Sequence, residues 1–328
     1  MSPKPTLHTS KRLKAIIAVA CTLLFASIFM LTTNHIHNLN KNKDHYNTAL
    51  SEIENHTEPM NFLLVGSDSR RHTALYTGNP KDHAQVNQHA DIITLLRIDP
   101  LNYKITLMSI PRDTVLTGSN QKINEGLMID NPEFVVENVE KLVGFEIPYY
   151  VMTDYAKFVN LVDSFGGLKL DVPKKITVSD PLTAKDISLK AGDNQNLDGS
   201  QTLALARARK EYGDNQEALR QVNVRNIEKE IIELALNSAS LDDAAKMLAI
   251  TKENTYTNFN IEDFGFTLAA FIHNKDKIQF YSATGPYHGD INENGQWVIE
   301  EDAQAYEEIA TMLENGINPE EKLPCPSF

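Results

Sequence analysis

The sequence has little that could hold a fold together covalently. Its 328 residues contain two cysteines, Cys21 and Cys325. The first lies inside an apolar run, so no intramolecular disulfide is available. There is no Gly-x-Ser-x-Gly elbow, no P-loop and no Cys-x-x-Cys pair, which removes the commonest hydrolase, nucleoside-triphosphatase and dithiol chemistries. Low-complexity tracts and internal repeats are absent. Basic residues are too few to balance the acids, and the formal net charge of −13 argues against a nucleic-acid surface. Arginine is absent after Arg225, and every later cation is lysine. The hydrophobic fraction of 41% is ordinary for a globular protein, and a chain of this length can bury a sizeable core.

One long apolar run is present. Residues 15–33 carry no charge, Gly or Pro, and as a helix they span about 28 Å, close to the hydrocarbon thickness of a bilayer. Lys4, Lys11, Arg12 and Lys14 precede it with no acid among them, which places residues 1–14 in the cytoplasm. No small-residue cleavage site follows, and Val19-Ala20 is a poor lipoprotein context for Cys21, so the run reads as a signal anchor. Residues 34–59 are polar and read as a stalk. Beyond the anchor, 27 basic residues face 44 acidic ones, a formal −17, on the outer side of a cell membrane.

Two apolar stretches, Ile92 to Ile98 and Lys104 to Ile110, flank a turn at Asp99-Pro100-Leu101-Asn102 and predict a β-hairpin. Asp91 opens the first strand, and Arg112-Asp113 follows Pro111 at the end of the second. In an antiparallel hairpin these ends are neighbours, so Asp91 and Arg112 should meet at one rim of the sheet. Such a pair reads either as an ion pair closing the hairpin or as a place for magnesium and a phosphate. Asn61 to Val65 predicts a buried strand, followed by a long loop carrying His72, His83 and His89 at spacings that suit solvated residues better than zinc ligands.

Further on, Asn131-Pro132 reads as the N-cap and first residue of a helix over Val135 to Val143 that Gly144 ends. Tyr149 to Met152 and Leu168 to Val172 read as strands, with a helix capped by Asp154 between them. A short helix over Gln201 to Ala206 runs into Arg207-Ala208-Arg209. Those two arginines share a face only on an extended chain, so either the helix frays there or one arginine is structural. The longest helical pattern covers Asp214 to Ala239, with Val224, Ile227, Ile231 and Leu234 as its buried stripe. Arg220 heads that stripe and must either snorkel to solvent or meet an anion. Residues 251–328 alternate between helix and strand as scaffold or pocket wall.

Eight of the nine arginines fall between Arg70 and Arg225. Lysine serves where a solvated charge suffices, but a fixed fork on phosphate oxygens needs arginine. The concentration therefore points to an anion site in that region.

Taken together, Gly66-Ser-Asp68-Ser-Arg70, Ala90-Asp91-Ile, Ile110-Pro-Arg112-Asp113, Lys122-Ile-Asn124, Phe165-Gly-Gly-Leu, Leu197-Asp-Gly, Arg207-Ala-Arg209 and Arg220-Gln221 resemble the LytR-CpsA-Psr family, in the family's order. The resemblance covers Asn61 to Ile232. It implies a three-layer α/β/α sandwich with a mixed central sheet, preceded by one transmembrane helix. Residues 60–250 would form the catalytic domain, with 251–328 packed on it.

The activity it implies is a Mg2+-dependent transfer of an anionic glycopolymer from undecaprenyl pyrophosphate to peptidoglycan, on the outer membrane face of a Gram-positive bacterium. A long apolar pocket would take the polyprenyl chain. Asp68 and Asp91 are assigned to the metal, and Asp91 alternatively to the base. Arg112 acts at the reacting phosphate. Arg70, Lys122, Asn124, Arg207, Arg209, Arg220 and Gln221 join it around the pyrophosphate. The family shows an Asp, an Arg three residues on, and Arg-Gln three further. Asp214 and Arg220-Gln221 keep that spacing, but the middle position is Glu217. One phosphate contact is then missing, or Arg225 supplies it. Two other readings use the same residues: a non-enzymatic envelope regulator, and a pyrophosphatase with water as acceptor.

Overall fold

A computed structural model describes residues 59–322 apart from 70–87, 120, 126, 128–131, 239–240, 260–270, 273 and 288. The predicted tail and anchor, almost all of the stalk, Arg70, His72 and His83 lie outside the described residues. Among the described residues no helix is long and apolar enough to cross a membrane.

The strands in chain order are β1 (Met60–Ser67), β2 (Ala90–Asp99), β3 (Lys104–Ser109), β4 (Thr114–Val115), β5 (Tyr149–Thr153), β6 (Leu168–Val172), β7 (Ile176–Ser179), β8 (Asp186–Leu189), β9 (Gly192–Leu197), β10 (Tyr256–Thr257), β11 (Gln279–Thr284), β12 (Gly289–Ile291) and β13 (Trp297–Glu300). The expected hairpin is present. β2 and β3 pair antiparallel with Leu95 opposite Met108, and Asp99 closes the turn by accepting from the Asn102 backbone at 3.0 Å. A six-stranded sheet grows around this hairpin in the order β10-β5-β1-β2-β3-β11. The β5–β1 and β3–β11 pairs are parallel and the other neighbours antiparallel, so the sheet is mixed.

Both faces are covered. The helices are α1 (Glu133–Val143), α2 (Tyr155–Ser164), α3 (Gly199–Arg207), α4 (Gln216–Leu236), α5 (Leu241–Glu253) and α6 (Ala303–Glu314). Side chains alternate across a strand. Leu63 and Val65 of β1 therefore pack with Val135 and Val139 of α1 and Ile309 of α6. Their neighbour Phe62 packs on the other side with Leu96, Ile105 and Leu107, toward Leu236 and Ala244. A sheet buried on both faces explains why β1, β2 and β3 read as nearly continuous apolar runs. A further cluster joins Val162 of α2, Leu205 of α3 and Val224 of α4 to the small β6–β9 and β7–β8 ladders.

Several boundaries differ from expectation for local reasons. α1 begins one residue later than expected, at Glu133, with Pro132 in the N-cap position instead of the first helical one. The predicted 214–239 helix is a 3-10 turn at Lys210–Asn215 followed by α4, because Gly213 at φ 71° interrupts the regular winding. Residues 251–328 contribute β10 and β11 to the central sheet and β12 and β13 to a second sheet that includes β4.

The Leu197-Asp198-Gly199 stretch has a packing reason. Asp198 caps α3 in a reciprocal box with Gln201, while Gly199 lets that helix start directly against α2. A Cβ at Gly199 would collide with the Val159 carbonyl oxygen and approach its Cα to 2.8 Å. Gly199→Ala should therefore lower stability by about 2–4 kcal/mol. A denaturant midpoint within error of wild type would contradict the close approach.

Candidate functional site

The starts of β2 and the end of β3 share one rim of the sheet, where the Ile110 amide donates to Ile93 at 2.8 Å. Pro111 ends the ladder and turns Arg112 toward Asp91, with which it forms an ion pair. Arg112 Nε also lies 3.7 Å from Asp113, yet it is buried and makes no hydrogen bond. Burial alone would lower the Arg112 pKa, but the carboxylates of Asp91, Asp113 and Glu217 outweigh it and hold the group above its ordinary value. Lys122 reaches Asp113 at 2.8 Å, placed by its bridge to Val115. It supports the cluster from behind Asp113. Asn124 is buried and ties down the start of β2, its carbonyl accepting from Ala90 at 3.0 Å.

Asp68 follows β1 at the position where the register slips between Gly66 and Ser67 and Ser67 faces Ala90. Its carboxylate accepts the His89 amide at 2.9 Å and lies 3.3 Å from His89 Nδ1. Asp68 and Asp91 thus flank one register pair. Both act on Tyr155, whose pKa is raised first by burial and then by Asp91, with a smaller contribution from Asp68. Among the described residues no group of three or more His, Cys, Asp or Glu is arranged to hold a metal.

The two arginines after α3 diverge. The helix ends at Arg207 and Ala208 is extended. Arg207 donates to the Ser179 carbonyl at 2.7 Å and lies 5.4 Å from the Tyr155 ring centre. Arg209 turns to Glu217, 2.8 Å away. Arg220 does meet an anion: its Nε donates to both Glu217 oxygens at 3.1 Å, a further NH2 hydrogen bond joins the same pair, and NH2 also donates to the Asp91 carbonyl at 3.1 Å. Burial would raise the Glu217 pKa, but Arg220, Arg209 and Arg112 together hold it below the usual range.

Gln221 is anchored to β11, accepting from the Thr284 hydroxyl at 2.7 Å. Arg225 donates to Ser282 at 2.8 Å and Ser109 at 2.6 Å, so it braces α4 against the sheet and does not substitute for a contact at position 217.

Behind this rim lies an apolar cavity of about 270 Å³ between the sheet and α2, α4 and α5. Gly66 and Ile92, next to Asp68 and Asp91 in sequence, form part of its wall, as do Phe62, Leu96, Phe158 and Ile227. Its wall at Gly66 and Ile92 therefore adjoins the charged cluster. Residues 251–328 do form pocket wall, through Thr255, Thr257 and Phe271.

Glu228 also lines the cavity, and sequence reasoning missed it. Its Oε2 and the Thr94 hydroxyl are both buried without a hydrogen bond of normal geometry. Burial raises its pKa to about 8, against smaller lowering effects of Thr94 and Arg225. The folded protein therefore keeps a proton that the unfolded chain loses near pH 4.5, and stability falls as pH rises between those values. Glu228→Gln should remove that slope and be more stable than wild type at pH 7 by roughly 2 kcal/mol. Melting temperatures across this range check it, and an advantage that does not grow with pH would refute it.

The LytR_cpsA_psr family model matches residues 24–315. The polyisoprenyl-teichoic acid–peptidoglycan teichoic acid transferase TagV of Bacillus subtilis (strain 168) is 30% identical over 253 residues, 73% of this chain and 63% of that protein. The corresponding TagU of Bacillus mycoides (strain KBAB4) is 26% identical over 86% of each chain. The crystal structure of Bacillus subtilis TagV superposes with a TM-score of 0.62 at 24% identity, covering 79% of this chain and 97% of that one. Protein gbs0355 of Streptococcus agalactiae gives 0.63 at 21% identity, over 80% and 89%. The mixed α/β fold is thus shared at sequence identities too low to carry function.

Proposed function

This chain belongs to the LytR_cpsA_psr family, and from that premise we propose that it is a membrane-anchored transferase that moves an anionic glycopolymer from undecaprenyl pyrophosphate to peptidoglycan. The observation that carries the reading is the convergence of Arg112, Arg209 and Arg220 with Asp91 beside the wall of an apolar cavity. A lipid diphosphate has the same two parts, a greasy chain and a compact multiple anion. The chain would lie in the cavity and the diphosphate at the rim. Two donors of the cluster, Arg112 Nε and Arg209 Nε, are buried with no protein acceptor in hydrogen-bond geometry. A phosphate oxygen would satisfy either.

Asp68 and Asp91 fit a hard divalent cation by donor chemistry: they are carboxylates that flank the Ser67–Ala90 pair, and both raise the pKa of Tyr155. Magnesium is commonly held by one or two carboxylates with phosphate oxygens filling the rest of its shell. Bound there, Mg2+ would neutralise charge building on the departing phosphate. Asp91 would orient Arg112 through their ion pair, or, as the alternative to binding the metal, would take the proton of an attacking sugar hydroxyl. Arg209 and Arg220 would hold the diphosphate as it gains charge.

The test uses the full-length chain in detergent with lipid-linked glycopolymer, magnesium and peptidoglycan oligomers. Polymer joined to peptidoglycan is the expected product, with chelation of magnesium abolishing it. Phosphate release without transfer would identify a pyrophosphatase instead. Absence of both, with a partner retained through the N-terminal segment, would identify a regulator.

A further inference from the structure

Glu217 is a carboxylate in the position a ligand anion would take. It lies in the first turn of α4, its side chain is 8% exposed, and its hydrogen bonds go to Arg220 while Arg209 closes on Oε2 at 2.8 Å. Arg112 is near enough to help lower its pKa, and Glu217 in turn raises that of the half-buried Tyr287, second to burial. Around it the cations Arg112, Lys122, Arg209 and Arg220 meet the carboxylates Asp91, Asp113 and Glu217. A cluster matched this closely leaves little attraction for a singly charged newcomer. Carboxylate and phosphate also use the guanidinium fork in the same way, so a phosphate reaches Arg209 and Arg220 by exchange with Glu217. The exchange would take place by a change of the Glu217 side-chain rotamer.

We propose that Glu217 is a built-in competitor at the diphosphate subsite, one that a multiply charged diphosphate displaces and a monophosphate does not. Selectivity follows from charge. A monophosphate replaces one anion by another of similar strength and gains little. A diphosphate brings enough charge to release Glu217 and still engage Arg112. The inference rests on the reading above for the identity of its ligand, and adds that Glu217 sets the discrimination between diphosphate and monophosphate.

Full-length wild-type protein and Glu217→Gln are titrated with inorganic pyrophosphate and with orthophosphate at fixed magnesium, by calorimetry in detergent. Glutamine keeps the size and one acceptor while removing the charge. The variant is expected to bind pyrophosphate about tenfold or more tightly than wild type and to gain orthophosphate binding that wild type lacks. Equal or weaker pyrophosphate binding by the variant overturns the inference, and so does a failure of both proteins to bind pyrophosphate. A readout on the unsubstituted protein remains if the variant does not fold. With carboxyl-labelled glutamate, pyrophosphate should shift the Glu217 resonance and orthophosphate should not, and an unmoved resonance under pyrophosphate overturns the inference equally. The transfer assay separates this from the assigned reaction. Active transfer with unchanged binding in the variant refutes the role of Glu217 alone. Inactive transfer alongside tightened binding refutes the reaction and leaves the exchange intact.

Discussion

Arg112→Ala is expected to slow glycopolymer transfer by a factor on the order of a thousand, corresponding to about 4 kcal/mol of transition-state stabilisation. The size follows from the position of the guanidinium. It is paired to Asp91 on one side and close to Asp113 on the other, which fixes its plane, while its Nε is buried without an acceptor. A donor fixed in advance and left unsatisfied by the protein costs no reorganisation when charge develops on a phosphate oxygen. Arg112→Lys should recover little, because an ammonium cannot span Asp91 and a phosphate at once. Folding should hardly change, since the side chain of Asp91 is 30% exposed and can take water in place of its partner. Initial rates with saturating lipid-linked donor, beside melting curves, provide the check. Transfer by Arg112→Ala within tenfold of wild type would show that this guanidinium lies away from the reacting phosphate.

Arg220→Ala should instead act mainly on the fold, lowering stability by roughly 3 kcal/mol. It strips Glu217 of its three hydrogen bonds in a place with almost no water, and it removes the donor to the Asp91 carbonyl that ties α4 to the start of β2. Arg209 remains to partner Glu217, which keeps the loss at the lower end of what breaking a buried pair costs. The pH dependence has a definite sign. In wild type the Glu217 pKa is depressed, so its contribution is present above the unfolded value near 4.5 and is lost as pH falls through the folded one. Without Arg220, burial pushes that pKa upward, the carboxyl takes a proton more readily, and the deficit shrinks as pH is lowered. The Arg220→Ala/Glu217→Gln double variant should regain a good part of the lost stability. Denaturant midpoints of the four proteins at neutral and mildly acidic pH form the cycle, and strict additivity would mean that the two side chains do not depend on each other.

The hairpin was the most legible part of the molecule. Its turn residues, the proline that ends β3 and the charges at either end all lie within about twenty residues, and pairing follows from the antiparallel register alone. The anion site was legible as a set of arginines, but not the role of each. Arg207, Arg209 and Arg220 look alike in the sequence, whereas Arg207 is held by the Ser179 carbonyl and the other two by Glu217. Gln221 and Arg225 follow Arg220 within about one and a half turns and face β11 and β3. The short strands β7, β8 and β9 escaped detection because Ile176–Ser179 and Asp186–Leu189 alternate over only four residues each and Gly192–Leu197 is polar up to Leu197.

Residue order therefore settles what depends on near neighbours: the strand and helix pattern of the core, the Asp91–Arg112 meeting, the cap at Asp154, and the family itself. Three-dimensional packing settles which distant groups share a low-dielectric space. It puts Arg220 against Asp91, which is 129 positions away, sets Glu228 in the cavity wall and fills the anion site with the chain's own Glu217. Charge and hydrogen-bonding strength depend on distance and burial, and neither quantity is written in the spacing of residues along a helix.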